Sequence, residues 1–121
     1  MTWKQVTRLK HWMLSVGSHS RTHVNCAKDD PALVDAEISE SKRDLEKQLG
    51  LRDLIFAYPF GKREDFNEHW RERVRQAGYV GCLSAYGGSI RGAIDPFNVV
   101  RTAISHVYGK WAFRARLEGW G

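Results

Sequence analysis

Residues 13–23 read Met-Leu-Ser-Val-Gly-Ser-His-Ser-Arg-Thr-His, an apolar run that gives way at Gly17 to a polar stretch holding two histidines. The run from Met13 to Gly17 predicts a short buried strand and places Ser18 to His23 in the loop beyond its carboxyl end. In α/β folds, binding and catalytic groups gather at that end of the sheet. His19 and His23 are therefore candidate metal ligands. Positions i and i+4 on one helical turn face the same way, and neutral imidazole is the commonest protein ligand for zinc-like cations. A catalytic zinc site takes three protein ligands and a water, so the pair calls for a further ligand, a carboxylate from elsewhere in the fold. Taken alone, the spacing also fits capping, packing or plain exposure.

A second apolar run, Leu54 to Tyr58, predicts another strand that stops at Pro59, Phe60 and Gly61. Proline withdraws a backbone donor there, and glycine admits a sharp turn. Between the two strands, Asp30 and Pro31 supply a cap and a first-turn residue for a long helix. Val34, Ile38, Leu45 and Leu49 form its buried stripe, and Gly50 ends it. The charges interleaved along it, Glu37, Glu40, Lys42, Arg43, Asp44, Glu46 and Lys47, are read as its solvated face.

These segments in this order resemble the polysaccharide deacetylases, the NodB-homology carbohydrate esterases (family 4-like). The likeness rests on the H-S-x-x-H of His19 to His23, on Pro59-Phe60-Gly61, and on the acidic-basic helix between them. The resemblance implies a distorted, TIM-like β/α barrel in which an aspartate and two histidines hold a divalent metal, with zinc the leading choice. His19 and His23 match the histidines. The aspartate ligand and a second aspartate, the general base, belong to a T-F-D-D-like motif on an earlier strand. Only eighteen residues precede His19 and none is acidic, so the chain is read as residues 1–121 of the carboxyl-terminal part of such a domain, without its Asp-Asp strands.

The activity so implied is hydrolysis of N-acetyl or O-acetyl groups on a glycan, acting on carbon–nitrogen but not peptide bonds. By resemblance, the Phe60 amide is the oxyanion donor, a role that needs fixed backbone more than a given side chain. Tyr58, Pro59, Phe60 and Gly61 would form the substrate-binding turn, and Ser20 and Thr22 would brace the histidine loop. Ile104-Ser105-His106 superficially matches the late L-x-H, which makes His106 a candidate general acid, with a strand-end or surface residue as the other reading. Two departures stand out. Ala57 occupies the position where peptidoglycan and chitin deacetylases carry arginine, and the later Asp and Trp motif is not evident near Ser84 to Gly88.

Composition agrees with a partial α/β unit. At 121 residues, 42% hydrophobic and 12% aromatic, the chain can bury a core, but a complete barrel needs about 200 residues or more. Thr2 to His11, Asp65 to Ala77 (Phe66, Trp70 and Val74 inward, Gly78 as stop) and Trp111 to Leu117 predict further helices. Tyr79 to Leu83 and Val99 to Ser105 predict strands, with a glycine-rich loop from Tyr86 to Gly92 and a turn at Asp95-Pro96. Cys26 and Cys82 are read as structural thiols, although they could pair. His11 and His69 are read as exposed, and Trp12, Trp70, Trp111 and Trp120 as core.

The amino terminus has no secretory core and the chain no span of ~18 apolar residues. The resemblance still points to a secreted or cell-envelope setting, with acetylated polysaccharide or cell-envelope glycan as partner. A net charge of +5 admits phosphate binding, but the basic residues are scattered, so a nucleic-acid partner is not favoured. A non-catalytic carbohydrate-binding or structural remnant of the same fold remains open, because the carboxylate ligand and base are missing. An incomplete barrel also exposes strand edges, which predicts self-association.

Overall fold

The computed structural model describes residues 1–10, 14–88, 90 and 92–118. His11, Trp12, Met13 and Trp120 lie outside the described residues.

Helix α1 spans Trp3–Lys10, α2 Pro31–Leu49, strand β1 Ile55–Ala57, α3 Glu68–Gln76, β2 Gly81–Leu83 and α4 Lys110–Leu117. The polar signals at both ends of α2 act as expected. The Asp30 carboxylate accepts from the Ala32 and Leu33 amides at 3.0 and 3.1 Å, Pro31 opens the first turn, and Gly50 returns its N–H to Glu46 at 2.9 Å.

Strands β1 and β2 run parallel, Phe56 opposite Cys82, with α3 as the crossover that parallel neighbours require. Single parallel bridges extend the ladder on both sides, Ser18 beside Phe56 and Val99 beside Leu83. The result is an α/β arc that stays open among the described residues.

The core lies where α2 and α3 cover one face of this arc. Val34, Ile38, Phe56, Tyr58 and Val74 are fully buried, with Leu45, Leu49, Trp70 and Tyr79 around them. Each such side chain stabilises the fold by about 1.5–3 kcal/mol through burial. A buried polar seam crosses the layers. Ser18 Oγ bonds Ser41 Oγ at 2.8 Å, Ser41 meets the Tyr79 hydroxyl at 3.0 Å, and that hydroxyl donates to the Ile38 carbonyl. Gly17 allows the chain to close on β1, since a Cβ there would stand 2.8 Å from the Ile55 carbonyl oxygen.

Several elements differ from the sequence reading. Residues 14–17 form no strand; pairing starts at Ser18, and Leu14 is exposed. With one neighbour on one side only, the segment exchanges bonds with β1 at Ser18 alone: Ser18 N–H to the Ile55 carbonyl and Ala57 N–H to the Ser18 carbonyl. The strand expected from Val99 to Ser105 likewise reduces to one bridge at Val99. The third helix starts later than Asp65, because Asp65 closes a short 3-10 turn and Asn67 takes the cap, its Oδ1 receiving the Trp70 amide. Phe66 still reaches the core, from extended backbone. Trp111 is 80% exposed, so only Trp70 of the four candidate core tryptophans is seen to be buried.

Candidate functional site

The histidine loop follows directly from the Ser18 bridge. It is not a helical turn: Ser20 and His23 both adopt left-handed backbone, at φ 61° and 65°. The i, i+4 argument therefore names the right pair for the wrong local geometry. The rings meet nonetheless, 5.0 Å between centroids and 77° between planes. Both histidines are exposed. His19 Nδ1 lies 2.7 Å from the Ala57 carbonyl oxygen, an obligate acceptor, so in the neutral ring Nδ1 carries the proton and the lone pair for a cation is on Nε2. Ser20 Oγ accepts the His23 amide at 2.9 Å.

The second half of the site is the turn after β1. Tyr58 N–H donates to Leu83, and Phe60 and Gly61 then take left-handed backbone at φ 60° and 71°. Gly61 donates to Pro59 at 2.6 Å and accepts from Ala85 at 2.7 Å. A Cβ at position 61 would lie 2.9 Å from the Ala85 nitrogen, so only glycine closes this turn against the neighbouring loop. Phe60 N–H has no hydrogen-bond partner among the described residues, and its ring, 55% exposed, meets the His23 ring edge-on at 4.8 Å. Tyr58 is different. Its ring is fully buried and stacked on Phe66 at 4.2 Å, and burial pushes its hydroxyl pKa up. Pro59 and Gly61 are buried too, which leaves Phe60 as the surface of the turn.

Glu37 is a residue that the sequence reading misplaced. It is 4% exposed and faces the histidine loop, accepting from the Arg21 and Thr22 amides and from the Thr22 hydroxyl. Burial by itself raises its pKa, but those hydrogen bonds, with the Arg21 charge, outweigh it and hold the carboxyl below its ordinary range. The signal was present in the helix period, since position 37 lies on the same stripe as Val34, Ile38 and Ser41. The Arg21 side chain turns to Glu40 and Asp44 at the surface of α2.

Asp65 ties the two halves together. Its carboxylate accepts from Asn25 at 2.8 Å, Lys28 at 3.1 Å and the Lys62 amide at 3.1 Å, while its carbonyl accepts from Ala27. Burial pushes its pKa up, and the Asn25, Lys28 and Lys62 bonds more than reverse that, leaving it lowered.

His19, Ala57, Leu83 and Arg101 share a cleft of about 480 Å³ at the open side of the arc. Arg101 is anchored there by its Nε, which donates to the Ser84 carbonyl at 2.7 Å. His106 sits exposed in the turn at 106–107, and no described contact ties it to the histidine pair. His69 is exposed against Trp70. Cys26 and Cys82 are both free and buried, and burial raises their thiol pKa values to about 12 and about 11. Among the described residues, no three His, Cys, Asp or Glu side chains come together as a metal set. No helix among them is long and apolar enough to cross a membrane.

A family model described as polysaccharide deacetylase matches residues 1–82. The fold is similar to that of the Streptococcus pyogenes deacetylase PplD, solved in complex with acetate, at 21% identity and TM-score 0.81, covering 100% of this chain and 51% of that one. It is also similar to a de-N-acetylase from Aggregatibacter actinomycetemcomitans, at 20% identity and TM-score 0.74, covering 96% and 53%. The chain thus spans about half the length of both structures. No curated protein matches the sequence.

Proposed function

Because the chain belongs to the polysaccharide deacetylase family, we propose that it is the carboxyl-terminal part of a β/α barrel that removes N-acetyl or O-acetyl groups from a glycan by metal-dependent hydrolysis. The observation that carries this reading is a convergence at the carboxyl end of β1. There the His19–His23 pair stands against the turn that presents the Phe60 amide. The donor set suits one divalent cation, zinc first, because the Ala57 hydrogen bond orients His19 with Nε2 available. A carboxylate from outside the described residues completes the ligands. When bound, such a cation supplies Lewis acidity toward the acetyl carbonyl.

The chain's own residues do the rest. Phe60 N–H, held by the locked Gly61 turn, donates to the acetyl oxygen as negative charge develops on it. The exposed Phe60 ring offers an apolar face to the sugar beside that amide. Glu37 and Ser20 hold the loop so that both imidazoles keep their place. His106, exposed in its turn, keeps only the candidate general-acid role that the late motif supplies. A secreted or cell-envelope location goes with a glycan substrate, and the open arc, with Leu14, Ile55 and Ile104 exposed, goes with self-association. A monodisperse monomer at high concentration in sedimentation would contradict the latter.

The deciding experiment is acetate release from a panel of N- and O-acetylated glycans with zinc present. It compares this chain, an upstream-extended chain, and His19→Ala with His23→Ala in each. Release by the extended chain that disappears in the double variant supports the proposal. Glycan retained without acetate release by either chain replaces it with a non-catalytic carbohydrate-binding module.

A further inference from the structure

Resting on the metal-site reading above, we infer that Glu37 is the positioning residue that sets the histidine pair, acting from α2 across to the loop. Its Oε2 accepts the Arg21 amide at 2.6 Å and the Thr22 amide at 2.8 Å, and its Oε1 accepts the Thr22 hydroxyl at 3.1 Å. All three donors lie between the two histidines. Two successive amides converge on one oxygen only when the backbone between them is held in a single conformation. That conformation also aims the side chains on either side, His19 and His23. The loop has no ladder of its own beyond Ser18, and it passes through left-handed backbone at Ser20 and His23. Such backbone persists only where surrounding bonds hold it.

The ion pairs between this loop and α2 are weaker. Arg21 reaches Glu40 and Asp44, but all three side chains are 43–47% exposed, where solvent screens ion pairs. Glu37 is buried, so its bonds are screened less than those surface pairs, and its removal leaves two amides without their protein partner. Its action is indirect: it touches neither imidazole in the described contacts, and the order it imposes on residues 21 and 22 is what fixes them. The Ala57 carbonyl then sets the tautomer of one ring and Phe60 abuts the other.

The test uses the full chain and two readouts. Amide hydrogen exchange at Arg21 and Thr22 in metal-free protein reports loop order, and calorimetric titration with zinc alone reports the pair. Glu37→Ala is expected to speed exchange at both amides by about tenfold or more and to weaken zinc binding by about 10- to 100-fold. Glu37→Gln is the rescue variant. Its carbonyl can face the two amides and its amino group the Thr22 oxygen, so both readouts should stay within about threefold of wild type. Wild-type exchange and zinc affinity in Glu37→Ala would overturn the inference. So would failure of Glu37→Gln to restore them while the helical circular dichroism is intact. Should Glu37→Ala not fold, Thr22→Val removes only the hydroxyl donor, and unchanged exchange and affinity there also count against the role. If neither the wild-type chain nor an upstream-extended one binds zinc, the metal reading fails by itself, and the exchange comparison still decides whether Glu37 orders the loop.

Discussion

His19 and Ala57, thirty-eight positions apart, are joined by a hydrogen bond of 2.7 Å from the imidazole Nδ1 to the carbonyl oxygen at the end of β1. A backbone acceptor at the end of a paired strand is among the most rigid partners a histidine can have. The strand therefore selects which ring nitrogen faces the cleft, and the same strand leads directly into the Pro59 turn. Replacing both histidines by alanine should abolish zinc binding, a loss of at least about 100-fold by calorimetry. Both are exposed, so the stability change should stay near that of the one hydrogen bond lost, about 0.5–1.5 kcal/mol in a denaturant titration.

Gly61→Ala should cost about 1–3 kcal/mol, because the substitution meets a left-handed φ of 71° and a contact of 2.9 Å with the Ala85 nitrogen at once. Urea unfolding measures the loss. In an active, upstream-extended chain the same change should lower kcat more than KM, since it displaces the Phe60 amide.

The core and the tail should respond in opposite ways. Ile38→Ala opens a cavity at a fully buried site between α2 and the sheet and should destabilise the chain by about 2–5 kcal/mol. Trp111→Ala removes a larger side chain that is 80% exposed and should shift stability by less than about 0.5 kcal/mol. A thermal melt of both variants separates them.

Acid should loosen the site before neutral or alkaline conditions do. Glu37 and Asp65 both have folded pKa values below their ordinary 4.5 and 3.8. The unfolded chain then binds more protons than the native one across that range, so stability rises with pH there. Their contribution is fully present above the ordinary carboxylate values and is lost as pH falls through the lower folded values. Unfolding free energy measured from pH 6 downward should drop, and Asp65→Asn or Glu37→Gln should each make that acid limb shallower.

Much of the scaffold can be read along the chain because its causes are local. Asp30, Pro31 and Gly50 bracket α2 whatever it packs against, and Val34, Ile38, Leu45 and Leu49 are spaced for one buried face. The strand through Phe56 and the break at Pro59 are equally local. The pairings were not. Residues 14–18 and 99–105 read as apolar strand segments or their ends, but a strand exists only where a neighbour completes its hydrogen bonds, and each segment forms a single bridge, at Ser18 and at Val99. Glu37 shows the same limit in a side chain. Among eight charged residues on one helix, its residue type suggests solvent, and only the facing loop turns it inward.

The sequence by itself therefore determined the helices, the caps of α2, its buried stripe and the candidate pair His19 and His23, since each depends on spacing within a few residues. Tertiary structure alone decided how that pair meets. Left-handed backbone at Ser20 and His23, the Ala57 carbonyl and the buried Glu37 carboxylate bring two rings together without a helix. The physical reason is that hydrogen bonds between residues 15 to 38 positions apart leave no periodic trace in either partner.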